Sequence, residues 1–149
     1  MKKYFVPHLA ALAMGLLVSA HASAQNAVTD AAAKEPGAVT TASGLVYRSL
    51  QDGNGASPTA SDRVKVHYKG TFPDGREFDS SYKRGTPIEF PLSGVIACWT
   101  EGVQRMKVGG KAKLTCPAQI AYGSRGAGGV IPPNATLLFE VELLGINGK

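Results

Sequence analysis

Histidine and cysteine are scarce in this chain, with three and two among 149 residues. His8 and His21 fall within the first 24 residues, which leaves His67 as the one imidazole of the remainder. A zinc centre takes four nitrogen or sulfur ligands, or three and a water, so no metal is expected. His67 reads as a surface histidine on the polar side of a strand. Gly126-Ala127-Gly128-Gly129 lacks the Lys-Ser ending of a phosphate loop and does not lead from a strand into a helix. Ser80 and Ser81 stand in no nucleophile-elbow pattern. The formal charge is +5 and the pI about 9.3, but the basic residues are scattered and not interleaved with aromatics. Nucleic acid is therefore not an expected partner. No cofactor is expected either.

The chain also lacks an apolar run of the roughly 20 residues that a membrane span requires. The longest, Leu9 to Ala20, follows Lys2-Lys3 and precedes Ala22-Ser23-Ala24. A basic start, a short apolar stretch and a small-residue cleavage site make 1–24 a cleavable signal peptide. No cysteine at the cut offers a lipid anchor, so no membrane anchor is expected. With no retention signal at the C-terminus, the expected location is the periplasm. Residues 25–43 carry Pro36, Gly37 and little apolar bulk beyond Val28 and Val39. Such a segment does not offset its ordering entropy by burial, and it is expected to be a disordered, dispensable leader. Residues 44–149 form one domain, expected to be a monomer.

Within that domain the apolar pattern has mostly period two. Val64, Val66 and Tyr68 alternate with Arg63, Lys65, His67 and Lys69, the mark of a half-buried antiparallel strand. Asp74-Gly75 is a hairpin turn into Arg76-Glu77-Phe78. Ala112, Leu114 and Cys116 repeat the alternation, as do Leu137, Phe139, Val141 and Leu143. One segment breaks the period: Ile96, Trp99, Val103 and Met106 are spaced three, four and three, a short amphipathic helix stopped by Gly109-Gly110. Several strands with one helix give an α+β domain, an antiparallel sheet packed on a single helix. The Gly- and Pro-rich loops at 70–95 and 123–134 are the places to look for function.

Tyr68, Phe78, Ile88, Phe90, Trp99, Ile131 and Phe139 supply the aromatic and apolar bulk, and by periodicity alone they are core as readily as site. Their order in the chain adds more. His67-Tyr68-Lys69-Gly70, Asp74-Gly75, Phe78-Asp79-Ser80-Ser81, Arg84-Gly85, Val95-Ile96 and Trp99 are followed by Glu101-Gly102-Val103. Ala121-Tyr122-Gly123, Ile131-Pro132-Pro133 and Ala135-Thr136-Leu137 come next. The ordered set resembles the FKBP family of peptidyl-prolyl cis–trans isomerases, the immunophilins that bind tacrolimus and rapamycin. The likeness runs from about Gly44 to Gly145, and the run Phe90 to Ile96 is most similar to the bacterial secreted branch.

The resemblance implies a curved antiparallel sheet wrapped around one helix, with a proline-binding pocket between them. Trp99 would be its floor, and Tyr68, Phe78, Val95, Ile96, Ile131 and Phe139 its walls, with Ile96 offering its backbone N–H to a ligand carbonyl. Asp79 and Tyr122 would be polar contacts at the rim, with Arg84 as the ion partner of Asp79. Ile88, where many relatives carry phenylalanine, and Phe90 would also meet substrate. Proline-containing segments of exported proteins would be the substrates, and macrolides such as tacrolimus or rapamycin the inhibitors. The segment before Val95 is shorter than in the cytosolic drug-target member, and Ala127 replaces a loop histidine of that member. Both departures touch the rim alone. A non-catalytic peptide-binding module on the same fold is the competing reading.

Cys98 and Cys116 are the only cysteines. An exported chain with an even count favours a disulfide, while two buried thiols are the alternative.

Overall fold

The computed structural model describes residues 27–147; the signal peptide inferred for 1–24 lies outside them. Seven strands form one antiparallel sheet: β1 (Ala38–Thr40), β2 (Val46–Gln51), β3 (Arg63–Thr71), β4 (Glu77–Ser80), β5 (Ile88–Pro91), β6 (Lys111–Cys116) and β7 (Leu137–Ile146). Their spatial order is β1-β2-β6-β7-β3-β4, and β5 pairs with β3 beside β4. Helix α1 covers 27–33, α2 covers Ser81–Arg84 and α3 covers Ala97–Gln104.

The period-two pattern sets which face is inside. Val64, Val66 and Tyr68 of β3 are buried, as are Ala112, Leu114 and Cys116 of β6 and Leu137, Phe139, Val141 and Leu143 of β7. The outward residues form charge ladders: Lys113 stands opposite Glu140, and Glu140 is in turn opposite Lys69, which it meets at 3.2 Å. Opposite charges facing across strands favour this register.

Helix α3 lies on the inner face, as the three-four spacing requires. Trp99 and Val103 are buried with Met106, which lies just past the helix end. Gly102 permits the close approach, since a Cβ there would stand 2.8 Å from Leu114 Cδ2. A disulfide joins Cys98, in the first turn of α3, to Cys116 at the end of β6, with Cα atoms 5.9 Å apart. Both cysteines are fully buried.

The leader differs from expectation. Residues 27–33 are helical, β1 pairs with β2 through Val39 opposite Tyr47, and Glu35 contacts both Arg48 at 2.6 Å and Lys113 at 2.8 Å. The missing apolar pattern predicts disorder, and little apolar surface is indeed used: Ala32 is buried but Val39 is half exposed. Backbone pairing and one doubly paired carboxylate hold the segment instead, and hydrophobic periodicity does not register either.

Candidate functional site

A cavity of about 430 Å³ opens between the concave face of the sheet and the N-terminal end of α3. Its base is the Trp99 ring. Three aromatic rings stand edge-on to it: Tyr68 from β3 at 5.2 Å and 85°, Phe90 from β5 at 5.5 Å and 83°, and Phe139 from β7 at 5.5 Å and 89°. Phe78 of β4 continues the wall, perpendicular to Phe139 at 5.6 Å. Edge-to-face packing suits the quadrupoles of such rings and fixes each one by its neighbours. The indole N–H of Trp99 is buried without a hydrogen-bond partner among the described residues.

Four strands and a helix thus each contribute one ring, and β3 passes beneath two of them. Gly70 makes that passage possible: a Cβ there would stand 2.5 Å from Phe78 Cζ and 3.0 Å from Phe139 Cε1. The lip is made by Gly94, Val95 and Ile96 on one side and Tyr122 on another. Ile96 is the N-cap of α3, and its carbonyl accepts from the N–H groups of Trp99 and Thr100 at 3.0 and 3.2 Å. Its own N–H precedes the helix, outside the intrahelical bonds. Thr100 Oγ1 donates to the Leu92 carbonyl at 2.6 Å and ties the lip to α3.

The polar side of the rim is a closed triad. The Tyr68 hydroxyl donates to Asp79 Oδ2. Arg84 donates from Nη1 to Asp79 Oδ1 at 2.7 Å and from Nη2 to the Tyr68 oxygen at 3.2 Å. The Ser80 N–H adds a further bond to Asp79 Oδ1 at 2.9 Å. Burial disfavours the Asp79 carboxylate, but the bonds from Tyr68 and Arg84 outweigh it and hold the carboxyl below its usual range. Burial, helped by the bond to Asp79, pushes the Tyr68 phenol up. Both shifts keep an anionic acceptor and a protonated donor side by side at neutral pH.

Of the residues singled out from sequence, Tyr68, Phe78, Asp79, Phe90 and Val95 line the cavity together with Ile96, Trp99, Tyr122 and Phe139. Arg84 does not line it and reaches it through Asp79. Ile88 and Ile131 do not line it either. Ile88 pairs with Val66 at the β3 edge, and Ile131 is buried in the core, bridged to Ala127. The resemblance implies a wall position for Ile131 and a substrate contact for Ile88. Gly94 and Gly70 went unassigned in the sequence because glycine carries no side-chain signal. His67 is half-buried and not a free surface residue: its ring stacks on Tyr82 at 4.6 Å and its Nδ1 lies 2.9 Å from Ser81 Oγ. Among the described residues, no three His, Cys, Asp or Glu side chains gather as a metal site. No helix among them is long and apolar enough to cross a membrane.

Residues 55–144 match the family model described as FKBP-type peptidyl-prolyl cis-trans isomerase. The chain belongs to that family. It is 54% identical over 114 residues to the FKBP-type peptidyl-prolyl cis-trans isomerase FkpA of Escherichia coli, covering 76% of this chain and 42% of that protein. It is 50% identical over 115 residues to the peptidyl-prolyl cis-trans isomerase Mip of Coxiella burnetii, covering 77% and 50%. The FKBP-type chain thus spans about half the length, or less, of these curated relatives. The crystal structure of E. coli FkpA superimposes with a TM-score of 0.81 at 42% identity, covering 98% of this chain and 73% of that one. A peptidyl-prolyl cis-trans isomerase from Pseudomonas syringae gives a TM-score of 0.78 at 38% identity, covering 83% and 91%. The non-closed antiparallel sheet with a short helix is therefore the FKBP fold.

Proposed function

We propose that this chain accelerates the cis–trans isomerisation of X–Pro bonds by binding the proline ring against Trp99. The observation that carries the reading is the ring box, in which an indole base and perpendicular aromatic walls leave a cavity suited to a small aliphatic ring. Tyr68, Phe78, Asp79, Ile96, Trp99, Tyr122 and Phe139 are assigned the catalytic contacts, and Phe90 and Val95 the surrounding substrate contacts. Arg84 acts by holding Asp79.

The chemistry asks for no covalent step. An amide resists rotation because resonance sets a barrier of ~18–20 kcal/mol, and X–Pro bonds therefore turn over in tens to hundreds of seconds. At the twisted midpoint that resonance is lost, with much of the amide's charge separation. An apolar pocket disfavours the polar planar amide more than the twisted one. A backbone donor such as the Ile96 N–H holds the carbonyl that precedes proline. Each ~1.4 kcal/mol of stabilisation restricted to the twisted form gives tenfold in rate. The rim triad suits this environment, since its charges are already paired with one another and do not draw water onto the ring box.

The natural substrates are proposed to be proline-containing segments of exported proteins, met in the periplasm after cleavage of the 1–24 signal peptide, by a monomer without a membrane anchor. Tacrolimus and rapamycin are proposed inhibitors, because their proline-like rings would fill the same box. The deciding experiment is an isomerisation assay on a short X–Pro peptide series, with and without rapamycin. Acceleration that rapamycin suppresses is expected. Folded wild-type protein that binds the peptides but accelerates none would hand the site to the competing peptide-binding reading.

A further inference from the structure

The edge of β3 has a gap. On the side away from β7, β5 pairs with Arg63 to Val66 and β4 pairs with Lys69 to Thr71. Neither covers His67 and Tyr68. A buried backbone N–H or carbonyl left without a partner is costly, and at this gap a side chain supplies both partners. The Tyr68 N–H donates to Ser81 Oγ at 2.7 Å and the Ser81 hydroxyl faces the Tyr68 carbonyl oxygen at 3.3 Å, while His67 Nδ1 lies 2.9 Å from the same Oγ, so the one hydroxyl proton serves the carbonyl in the tautomer in which Nδ1 carries the imidazole proton. Ser81 is fully buried. It is also the first residue of α2, the four-residue helix that ends at Arg84.

We infer that Ser81 is a positioning residue for the rim: its hydroxyl takes the place of the missing strand at Tyr68 and thereby sets the reach of Tyr68 and Arg84 to Asp79. One side chain fixes both ends of the triad, the Tyr68 backbone directly and Arg84 through the short helix that Ser81 begins. The inference rests on the isomerase reading for its effect on rate, but the geometry of the triad is measurable without any activity.

The neighbouring serine provides the control. Ser80 is buried and caps α2 by accepting from the Lys83 N–H at 3.3 Å, but no bond joins its side chain to Tyr68. Ser81→Ala and Ser80→Ala are to be compared in full-length mature protein, well below either thermal midpoint. The readouts are kcat/KM on an X–Pro peptide and the titration midpoint of the Asp79 carboxyl by carbon-detected NMR. Ser81→Ala should lower kcat/KM by about tenfold, the scale of one lost buried hydrogen bond. It should also raise the Asp79 midpoint toward the ordinary carboxylate value as Tyr68 and Arg84 loosen. Ser80→Ala should lower thermal stability and leave the Asp79 midpoint in place. Ser81→Cys, which keeps the volume and weakens the hydrogen bonds, makes the same comparison should the alanine variant not fold. An Asp79 midpoint unchanged by the Ser81 variants overturns the inference, whatever their stability. A wild type without isomerase activity would overturn the functional reading instead, and the Asp79 midpoint would still decide the role of Ser81.

Discussion

Cys116, the last residue of β6, is bonded to Cys98, the residue immediately before Trp99 in α3. The link fastens the pocket-floor helix to the sheet, and Pro117, which follows, starts the segment that carries Tyr122. Closing a loop of this length contributes about 3 kcal/mol by chain entropy. The Cys98→Ala/Cys116→Ala double variant should therefore melt roughly 10 °C lower. Because both cysteines are buried, a thiol reductant should leave the native protein unchanged and reproduce the loss only when denaturant is present. Two alkylatable thiols in unfolded, non-reduced protein from its native compartment would show that the bond is absent.

Trp99→Ala removes the base of the ring box. Stability should fall by ~3–5 kcal/mol, as for other large-to-small changes in a packed core, and kcat/KM should fall by at least tenfold in protein shown by circular dichroism to be folded. Equal activity in folded Trp99→Ala would remove the indole from the catalytic contacts.

The pH profile should lack a histidine limb. Asp79 is held ionised below its usual range, so the stabilisation it draws from Tyr68 and Arg84 is complete at neutral pH and is lost as pH falls through its depressed folded value. The Tyr68 phenol, pushed up, stays a donor throughout. A flat kcat/KM between pH 6 and 8, with decline only below about pH 4, is the expected result. Asp79→Leu should lower activity with the fold intact, while His67→Ala should leave activity within about twofold, since His67 does not line the pocket. A step near pH 6.5 that vanishes with His67→Ala would contradict the desolvation mechanism.

Removing the leader should now carry a cost. A chain beginning at Thr41 loses β1 and the two contacts of Glu35, and its thermal midpoint should drop by a few degrees with kcat/KM preserved. The hydrogen bond from Lys113 lowers the Glu35 pKa, and Arg48 adds to the effect. The stabilisation from Glu35 is therefore present at neutral pH and fades as the solution is acidified through its lowered folded pKa. Midpoints of the two chains that converge in acid would confirm the origin of the difference; equal midpoints at pH 7 would return the leader to irrelevance.

Gly70→Ala tests the close passage under the wall. The added methyl would displace the Phe78 ring, so kcat/KM should fall alongside ~1–3 kcal/mol of stability from overpacking. A crystal structure of the variant with Phe78 unmoved would dismiss the steric account.

Strands β3, β6 and β7 and helix α3 are legible in the sequence because burial on one face leaves a period that survives in residue order, whereas the short, half-exposed β1, β2 and β5 leave none. Trp99, Tyr68 and Phe139 were legible as a site only through the order of motifs around them, since as periodic aromatics they look like core. The order of the leader is not legible because it comes from the pairing of β1 with β2 and from Glu35 reaching residues 13 and 78 positions away, relations that no local pattern records. Ser81 stands in no recognisable motif of its own, for its position depends on where two strands stop short of each other. For Ile88 and Ile131, which do not line the cavity, a residue's place in a motif does not say whether its side chain reaches the opening.

Strand β7 is the last of the described strands in sequence and yet stands inside the sheet, between β6 and β3. β2 and β6 can find each other, and β3 can pair with β4 and β5, but the two groups have no strand joining them until 137–146 docks between them. Phe139, one wall of the pocket, comes with that strand. The cavity and the completed sheet therefore come into being together, and a chain in which 137–146 has not yet docked has neither.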